Sequence, residues 1–318
     1  MFPEAMPSSV AVVDIGSNTI KVLIAARMPN GPLQALGMKT VDARISAGIG
    51  QEQPRLSEEG MRAGVAAVND LLEFAGTYQP EETVIVATSA VRDAANRDEF
   101  CGRIERTTGV PIRLLSGEEE ANLIGRGLTA DLALAHLQDF YLFDLGGGSL
   151  ECLAFRNRRL LHAQSFQLGC VRLTERFVQD PTGPLSTSAS LAIAQHVRQE
   201  VVAGGFPFDV TTTAAIFAGG SMTATRGILA AEMGQPLESS SPRVSISELQ
   251  HLLARIGPLT LNERKQVPGL PSARADVYPA ALVTMIALAE IAGVSAFQHS
   301  FYNLRWGVAD EALSGNSA

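Results

Sequence analysis

The sequence predicts an α/β protein with two related sheets, and three observations support this class. Apolar runs typical of buried strands alternate along the chain with segments of helical periodicity. A strand–turn–strand pattern near the N-terminus returns about 130 residues later, where DLGGGS (144–149) matches DIGSNT (14–19). The chain has 318 residues, 46% of them hydrophobic, and is long enough to build two cores.

The repeated pattern also predicts how the chain divides. We expect one domain over residues 1–128 and a second over 129–318, with the option that the last helix packs back on the first domain. Ligands often bind in the cleft between two such domains, so an interdomain cleft is the expected location of a site.

The first half begins with three strands. Residues 10–16 (VAVVDIG) and 20–26 (IKVLIAA) are apolar runs three residues apart, which predicts a hairpin with a tight polar turn. Residues 32–43 are consistent with a third strand.

Helices and further strands complete the first half. Helical periodicity begins at Ser57 and runs to about Ala75, with two glutamates in the first turn, where the helix dipole favours acidic residues. The remaining segments predict a strand over 83–90, a helix over 91–109 that ends near Gly109, a short strand from 111 and a helix capped by Ser116.

The second half starts with the same hairpin pattern over residues 140–155. Further elements are expected as a strand over 160–167, helices over about 170–179 and 188–203, a strand at 214–220 and a helix from Ser221. A more helical tail follows. Residues 233–245 (MGQPLESSSPRVS) are rich in turn formers and predict a mobile loop.

Composition excludes several classes of function. A net charge of −8 argues against non-specific nucleic-acid binding, which usually requires a basic protein. The longest apolar stretch, AALVTMIALAEIAGV, is interrupted by Glu290 and is too short to span a bilayer, so we expect a buried helix and no membrane partner. The three cysteines, Cys101, Cys152 and Cys170, have no C-x-x-C spacing, which favours a reducing compartment, and the N-terminus lacks a secretory pattern, so we expect a cytoplasmic protein. The five histidines are scattered and form no H-E-x-x-H motif or Cys/His cluster, so the sequence gives no support to a zinc site.

Two glycine–hydroxyl loops carry the main chemical signal. Each follows an apolar strand that ends in Asp, and its glycines would let backbone N–H groups approach an oxyanion while hydroxyls add donors. An Asp at a strand end can hold hydrated Mg²⁺ or orient a water. Either loop alone could be an ordinary polar turn, but the shared position of Asp favours a function. The loops contain Asp14, Gly16, Ser17, Asn18 and Thr19, and Asp144, Gly146, Gly147, Gly148 and Ser149.

A third junction joins a strand to a helix at Gly219, Gly220 and Ser221. A helix N-terminus after two glycines can bind an anion or a nucleotide. A plain glycine turn with Ser221 as the N-cap explains the pattern equally well.

The segment SGEEEA (116–121) offers a candidate base. Ser116 and Glu119 have the spacing of a capping box, and Glu118 falls in the solvated first turn. Glu120 has no such structural explanation, and a carboxylate at a domain edge can take a proton from an attacking water.

Arg92 follows a predicted strand and begins the next helix. An arginine in this position could clamp a phosphate through two parallel hydrogen bonds. The alternative is a surface salt bridge within the acidic segment that follows it.

Taken in order, the motifs resemble one family, the exopolyphosphatase / guanosine pentaphosphate phosphatase family. The similarity extends from about residue 10 to residue 313. It rests on DIGSNTIKVLI, ATSAVRDAANRDEF, SGEEEANLI, DLGGGSLE, LGCVRLTERF, PGLPSARADV and NLRWG. Their combination is far more specific than any single motif.

The resemblance implies two actin-like domains (the superfamily of actin, sugar kinases and heat-shock chaperones, ribonuclease H-like) that close over a phosphate. It implies hydrolysis that depends on Mg²⁺, with Mn²⁺ as the alternative, and inorganic polyphosphate or guanosine pentaphosphate (pppGpp) as the substrate. It makes Glu120 the general base and Asp144 and Glu151 the acidic residues near the metal. By the same resemblance, Asp14 is a further metal ligand, and phosphate is bound by Asp14, Gly16, Ser17, Asn18, Thr19, Lys21, Arg92, Gly146, Gly147, Gly148, Ser149, Gly219, Gly220 and Ser221.

Some positions depart from the family pattern. Lys21 replaces a common arginine, Leu150 a common threonine and Trp306 a common acidic residue. Ser221 and Met222 replace Gly-Thr, which weakens the case for a nucleotide contact there. Longer members continue into a helical C-terminal domain through which long polyphosphate threads, so this chain is expected to favour short to medium polymers unless a homodimer rebuilds the channel.

Four hypotheses follow from these features. The first is an exopolyphosphatase, and the second is a pppGpp 5′-phosphohydrolase that forms ppGpp. A kinase or ATPase on the same fold is the third, although the altered residues after Gly220 argue against a standard adenosine pocket. A non-catalytic phosphate sensor is the fourth, and clustered carboxylates argue against it because they repel an anionic ligand unless a metal offsets them.

Overall fold

The structure of the chain, a computed structural model, describes residues 8–27, 31–46, 49, 53–208 and 214–315. They form two compact units. The first contains the described parts of Met1–Ala47, Arg55–Leu132 and Tyr302–Ala318, and the second those of Gly48–Pro54 and Ala133–Phe301. The predicted boundary after residue 128 lies within a helix, and the chain passes to the second unit after Leu132.

The first unit contains a five-stranded mixed sheet of order β3-β2-β1-β4-β5. The strands β1, β2 and β3 form an antiparallel meander, and β4 and β5 join β1 in parallel. Their bounds are β1 Ser9–Ile15, β2 Thr19–Arg27, β3 Leu33–Asp42, β4 Glu82–Ala87 and β5 Ile112–Leu114. The apolar runs of β1 and β2 are buried almost throughout, whereas the edge strand β3 exposes alternate residues.

The helices of the first unit start where the sequence indicates. Their bounds are α1 Glu58–Gly76, α2 Ser89–Arg92, α3 Arg97–Thr108 and α4 Gly117–Thr129. Ser57 caps α1 by accepting a hydrogen bond from the backbone N–H of Gly60. The predicted strand over 83–90 ends at Ala87, and its last residues belong to α2.

The single helix predicted over 91–109 is wrong, because α2 ends at Arg92 and α3 begins at Arg97. The reason is a long-range contact: the side-chain amide of Asn96 accepts from the backbone N–H of Leu56 and donates to its carbonyl, each over 2.9 Å. The predicted end at Gly109 is confirmed, since Gly109 adopts a left-handed conformation with φ of 71° after α3.

The second unit repeats this arrangement in a six-stranded mixed sheet of order β10-β11-β9-β6-β7-β8. Here β6, β7 and β8 are antiparallel neighbours, and β9 and β11 extend the sheet in parallel, which confirms the predicted repeat. The extra strand β10 is antiparallel to β11. The bounds are β6 Phe140–Leu145, β7 Leu150–Arg156, β8 Arg159–Phe166, β9 Ala215–Ala218, β10 Arg243–Ser245 and β11 Ala296–His299.

The helices of the second unit are α5 Cys170–Phe177, α6 Thr187–Ala203, α7 Gly220–Glu232, α8 Ile246–Ile256, α9 Leu261–Arg264 and α10 Tyr278–Ala292. The apolar helix α10 is buried over most of its length, as its sequence predicts, and Glu290 near its end pairs with Arg198 on α6. Within the described part of the chain, none of the helices combines the length and apolar character that a membrane span requires.

The mobile loop predicted over 233–245 is also wrong, because this segment contains a 3₁₀ turn (Leu237–Ser239) and β10. The buried side chain of Arg226 holds it by donating to the carbonyl oxygens of Leu237, Ser240 and Ser241 over 2.8–3.0 Å. Turn-rich composition does not reveal such a tether, since its donor lies in the preceding helix.

The last helix, α11 (Leu304–Gly315), belongs to the first unit and packs on α4 and β1. The two helices approach closely at glycines: a β-carbon on Gly307 would overlap the carbonyl of Leu123, and one on Gly127 would overlap that of Asn303. Close helix packing of this kind requires small residues.

Candidate active site

The β6–β7 hairpin of the second unit brings two acidic side chains together. Asp144 and Glu151 are direct partners in the antiparallel register, so their side chains lie on the same face with β-carbons about 5 Å apart. Both are buried, with 8% and 2% of their surface exposed. Ser165 on β8 donates its hydroxyl to Glu151 Oε1 over 2.8 Å. The hairpin thus presents two carboxylates beside the loop, Asp144 near the end of β6 and Glu151 near the start of β7.

The loop that joins β6 to β7 is held by the N-terminus of α5. The backbone N–H of Cys170 donates to the carbonyl of Gly146 over 3.0 Å, and that of Val171 donates to the carbonyl of Gly147 over 2.9 Å. The carbonyl of Gly148 accepts from Nε of Arg172 over 3.1 Å. Consecutive carbonyl oxygens of the loop therefore all face α5.

This arrangement fixes the direction of the loop amides. In a trans peptide the C=O of one residue and the N–H of the next point in opposite directions, and the described residues include no cis peptide. The N–H groups of Gly147, Gly148 and Ser149 consequently point away from α5. Successive backbone amides on one side of a loop can form an anion-binding nest.

Gly169 permits the close approach of α5 to this loop. A β-carbon at Gly169 would overlap the carbonyl group of Gly147 and the carbonyl carbon of Gly148. A larger residue at position 169 would push α5 away from the loop and break the contacts to its carbonyls, so this position sterically requires glycine.

The strand–helix junction at Gly219 lies beside Asp144. Gly219 has a φ of 89°, which favours glycine, and Ala218 before it is the partner of Asp144 in the parallel register. Gly219 is the N-cap of α7 and Ser221 is already inside the helix, so the alternative that made Ser221 the N-cap is wrong. The positive φ explains the difference, because the chain turns into α7 at a position that only glycine adopts easily.

Ser221 and its neighbour Gly220 contact two side chains, Cys170 and Arg274, for which the sequence pattern predicts no individual role. Ser221 is buried and forms a hydrogen bond with the thiol of Cys170, whose pKa is raised mainly by burial. Arg274 places its guanidinium against Gly220, where a β-carbon would overlap it. This cation lies in PGLPSARADV, a motif used only for the family resemblance.

The first unit contains the equivalent loop between β1 and β2. Ser17, Asn18 and Thr19 are all buried, and the carbonyl of Asn18 accepts from the backbone N–H groups of Ala43 and Arg44. Glycine is required at the start of the turn, because a β-carbon on Gly16 would lie 2.9 Å from the carbonyl oxygen of Thr19.

Two positively charged side chains, Lys21 and Arg305, lie near Asp14, the acidic residue of this loop. Asp14 is the direct cross-strand partner of Lys21, and Arg305 on α11 also contributes a positive charge. Burial raises the pKa of Asp14 above its usual range, while Arg305 and Lys21 act in the opposite direction. Arg305 is itself buried and donates to the carbonyl of Val22 over 3.4 Å. Its motif, NLRWG, gave no hint of this role.

Glu120 and Arg92 form an ion pair in the first unit. Nη1 of Arg92 lies 2.9 Å from Oε2 of Glu120 and donates to the carbonyl of Leu115 over the same distance. Glu120 is buried on α4, with 6% of its surface exposed, whereas Glu118 is exposed. Arg92 thus contacts the candidate base, and its Nε also lies 3.5 Å from Oδ1 of Asp93, so the salt bridge given as the alternative is formed as well.

The capping box predicted before Glu120 is confirmed. Ser116 accepts from the backbone N–H of Glu119, and the carboxylate of Glu119 accepts from the backbone N–H of Ser116 over 2.8 Å. This hydrogen bond to Ser116 is the main cause of the lowered pKa of Glu119. Glu119 is therefore explained by helix capping, which leaves Glu120 as the buried carboxylate of the segment.

The residues of each unit gather at one edge of its sheet. In the first unit, Asp14 lies near the end of β1, Arg92 follows β4 and Glu120 follows β5, and these strands are parallel. In the second unit, Asp144 and Gly219 lie at the ends of the parallel strands β6 and β9. Ligand sites in α/β sheets characteristically lie at this carboxyl edge.

The carboxylates best suited to hold a divalent cation such as Mg²⁺ lie in the second unit. Mg²⁺ prefers oxygen ligands and is commonly held by one or two carboxylates, with waters and substrate phosphates filling its other positions. Asp144 and Glu151 fit this requirement. The two cations next to Asp14 make it the weaker candidate ligand. No cluster of three or more acidic, histidine or cysteine ligands occurs among the residues that the structure describes.

Two of the departures from the family pattern have structural explanations. Leu150 is fully buried and pairs with Phe166 on β8, so it supplies packing where a hydroxyl is usual. Trp306 is buried and stacks on Tyr302 with ring centroids 4.0 Å apart.

The mixed sheets and the repeated strand order define an α/β protein with two units of related topology. The sequence matches the Ppx/GppA phosphatase family over residues 23–315. The chain therefore belongs to this family of phosphatases.

Solved structures show the same fold. An exopolyphosphatase from Cytophaga hutchinsonii is 22% identical with a TM-score of 0.85, and the alignment covers 97% of this chain and 98% of the other. The Aquifex aeolicus member of the Ppx/GppA family is also 22% identical, with a TM-score of 0.76 and coverage of 98% and 100%.

Proposed function

We propose that this protein is an exopolyphosphatase, which hydrolyses the terminal phosphoanhydride of inorganic polyphosphate and releases orthophosphate. The observation that carries the proposal is the β6–β7 hairpin. Its paired carboxylates, Asp144 and Glu151, adjoin a loop whose amides at Gly147, Gly148 and Ser149 point away from α5. Carboxylates for a cation and amides for an anion suit a metal-bound phosphate chain.

The loops and cations would bind the phosphate chain. In the second unit, the loop amides and the Ser149 hydroxyl donate to phosphate oxygens, and Arg274 beside Gly220 supplies positive charge. In the first unit, Lys21 faces Asp14 and supplies a point charge, with Ser17 and Asn18 as further polar groups.

Asp144 and Glu151 would hold Mg²⁺ at the second loop. When bound, Mg²⁺ supplies charge neutralisation for the phosphate oxygens and for the leaving group. Both carboxylates suit this task because they are buried and are direct partners in the β6–β7 register.

Glu120 would act as the general base that takes a proton from the attacking water. Its ion pair with Arg92 fixes the carboxylate, and the bond from Arg92 to the carbonyl of Leu115 fixes the guanidinium in turn. The buried position on α4 limits the competing hydration of the carboxylate. Arg92 keeps the predicted role of a phosphate ligand as a second task.

Guanosine pentaphosphate is the competing substrate. Polyphosphate is favoured by the third junction, where Ser221 and Met222 stand in place of Gly-Thr and the Met222 side chain of α7 is packed within the core. The solved relative from Cytophaga hutchinsonii is itself described as an exopolyphosphatase.

The test is phosphate release by the purified protein, with and without Mg²⁺, from tripolyphosphate, long-chain polyphosphate, pppGpp and ATP in parallel. We expect kcat/KM for polyphosphate to exceed that for pppGpp by about tenfold or more, a difference of ~1.4 kcal/mol in transition-state binding. The reverse order would assign the pppGpp hydrolase. ATP turnover that requires an acceptor would support a kinase, and binding without release would support a sensor.

A further inference from the structure

Arg172, in the motif LGCVRLTERF, has no role in the chemistry described above. Among the residues that the structure describes, its side chain donates to two backbone carbonyls of the second unit. Nε donates to Gly148 over 3.1 Å, and Nη1 donates to Ile49 over 2.8 Å. Ile49 is buried, so the guanidinium links the loop carbonyl of Gly148 to the carbonyl of a residue that is packed in the core.

The bond to Gly148 completes the contacts that α5 makes with the loop. Backbone N–H groups of α5 reach the carbonyls of Gly146 and Gly147. The third carbonyl is reached by the Arg172 side chain instead. The peptide that Arg172 fixes is the one that carries the N–H of Ser149.

This peptide needs an external constraint. Three glycines precede Ser149 in DLGGGS, and glycine loses more conformational freedom on ordering than any other residue. A rotation of the Gly148–Ser149 peptide would turn its carbonyl towards an approaching anion and its N–H away. A donor fixed behind the carbonyl opposes that rotation.

We propose that Arg172 is a positioning residue for the phosphate loop, which holds the Gly148–Ser149 peptide so that the Ser149 N–H is directed at a substrate phosphate. This inference rests on the proposed function, because it takes the loop to be the phosphate-binding element. Arg172 acts through the loop, and its own guanidinium is engaged by the two carbonyls.

The arrangement explains why arginine is suited to this position. The guanidinium donates from two different nitrogens in a fixed planar geometry, so one side chain bridges Gly148 and Ile49. The single ammonium of lysine, on a flexible stem, reaches either carbonyl but does not hold both in the same geometry.

The experiment compares Arg172→Met and Arg172→Lys with the wild type, and uses Arg176→Met as the matched control. Arg176 lies on the same helix, is exposed, and contacts His196 rather than the loop. The readouts are binding of inorganic phosphate by calorimetry, kcat and KM for tripolyphosphate, amide hydrogen exchange of residues 147–149, and the thermal midpoint.

For Arg172→Met we expect phosphate binding and kcat/KM to fall about tenfold or more, since a lost donor in such a site commonly costs that much. Exchange at residues 147–149 should accelerate, and Arg172→Lys should recover part of the loss. Arg176→Met should leave binding, kinetics and loop exchange unchanged. Loss of kcat/KM in Arg172→Met with unchanged loop exchange would overturn the positioning role.

Hydrogen exchange separates this inference from the proposed function. If the wild type neither binds phosphate nor hydrolyses polyphosphate, the proposed function fails, and with it the direction of the Ser149 N–H at a substrate. If the wild type is active but Arg172→Met matches it in loop exchange and phosphate binding, only the positioning role fails. A general loss of thermal stability in Arg172→Met that Arg172→Lys restores without restoring binding would also contradict the proposal.

Discussion

Gly219 lies against the carboxylate of Asp144: a β-carbon at Gly219 would overlap Oδ1 of Asp144 and lie 3.2 Å from the carbonyl oxygen of Leu145. The two residues come from neighbouring parallel strands, β9 and β6. Glycine is therefore favoured at position 219 for two reasons: its φ of 89° is strained for other residues, and a β-carbon would occupy the space of the Asp144 carboxylate. The shape of the strand–helix junction thus helps to set the position of a candidate metal ligand.

The first prediction concerns this contact. Gly219→Ala should destabilise the fold by about 2–5 kcal/mol, because it combines an unfavourable φ with overlap against Asp144. It should also raise the Mg²⁺ concentration that half-maximal phosphate release requires, because Asp144 must move. Urea unfolding and a metal titration of activity measure the two effects.

Gly234→Ala is the matched control for Gly219→Ala. Gly234 follows the same helix, α7, and also has a positive φ of 64°, but a β-carbon there would meet no atom within 4 Å. We expect a loss of only about 1–2 kcal/mol and an unchanged metal titration. If both variants changed the titration equally, the contact with Asp144 would not be the cause.

Glu120→Gln tests the general base. Glutamine can still accept a hydrogen bond from Arg92, so the variant should fold and bind polyphosphate, but it cannot take a proton from water. We expect kcat to fall by about 10²-fold or more while phosphate binding is retained. The measurement is the steady-state rate with tripolyphosphate and Mg²⁺, together with circular dichroism to verify folding.

Glu118→Gln serves as the control because Glu118 is an exposed residue of the same helical turn. Its kcat should remain within about twofold of the wild type, as expected for a surface change of charge. Comparable losses in the two variants would indicate a general electrostatic effect of α4, and an unfolded Glu120→Gln protein would show that the Arg92–Glu120 pair is structural.

Asp144→Asn tests the metal site. The change removes one anionic ligand, and the Mg²⁺ midpoint of activity should rise at least about tenfold, since even outer-shell changes cost that much. Asp14→Asn should move the same midpoint much less, because Lys21 and Arg305 already supply positive charge near Asp14. Equal shifts in both variants would instead support Asp14 as a metal ligand, as the family resemblance implies.

The sequence predicts most of the strands because their signals are local. The hairpin strands of both units are apolar runs bounded by glycine and polar turns, and burial on both faces makes those runs continuous. The short strands β10 and β11, of three and four residues, escape detection because so few residues give no periodicity. Their positions depend on pairing with β9 and with each other.

In the candidate site, too, the sequence predicts residues in local motifs but not contacts that the fold creates. The two loops, Glu120 and the capping box stand in short motifs, so the residue pattern identifies them directly. Arg172 is different, since its partners Gly148 and Ile49 are 24 and 123 residues away along the chain. Arg274 and Arg305 likewise act on residues brought to them by the fold. The motifs that contain these arginines support the family resemblance, but only the structure identifies the residues that the arginines contact.

The last prediction concerns a buried network behind Gly219. Arg226 donates from Nη1 to Nδ1 of His299 over 2.9 Å, so Nε2 of the ring carries the proton and faces Thr223 Oγ1 at 3.3 Å. Thr223 in turn donates to the carbonyl of Gly219 over 3.0 Å. Burial, with a smaller effect from Arg226, lowers the pKa of His299 to about 3.

The low pKa of His299 makes stability depend on pH in a defined direction. The unfolded histidine titrates at 6.5 and the folded one at about 3, so between these values the unfolded chain binds a proton that the folded chain excludes. Stability is therefore complete above about pH 6.5 and falls as the pH decreases, by up to ~1.4 kcal/mol for each pH unit. His299→Gln retains an acceptor for Arg226 but cannot titrate. Urea unfolding between about pH 8 and pH 5 should give the wild type a steeper decline than the variant, and parallel declines would show that His299 is not the titrating group.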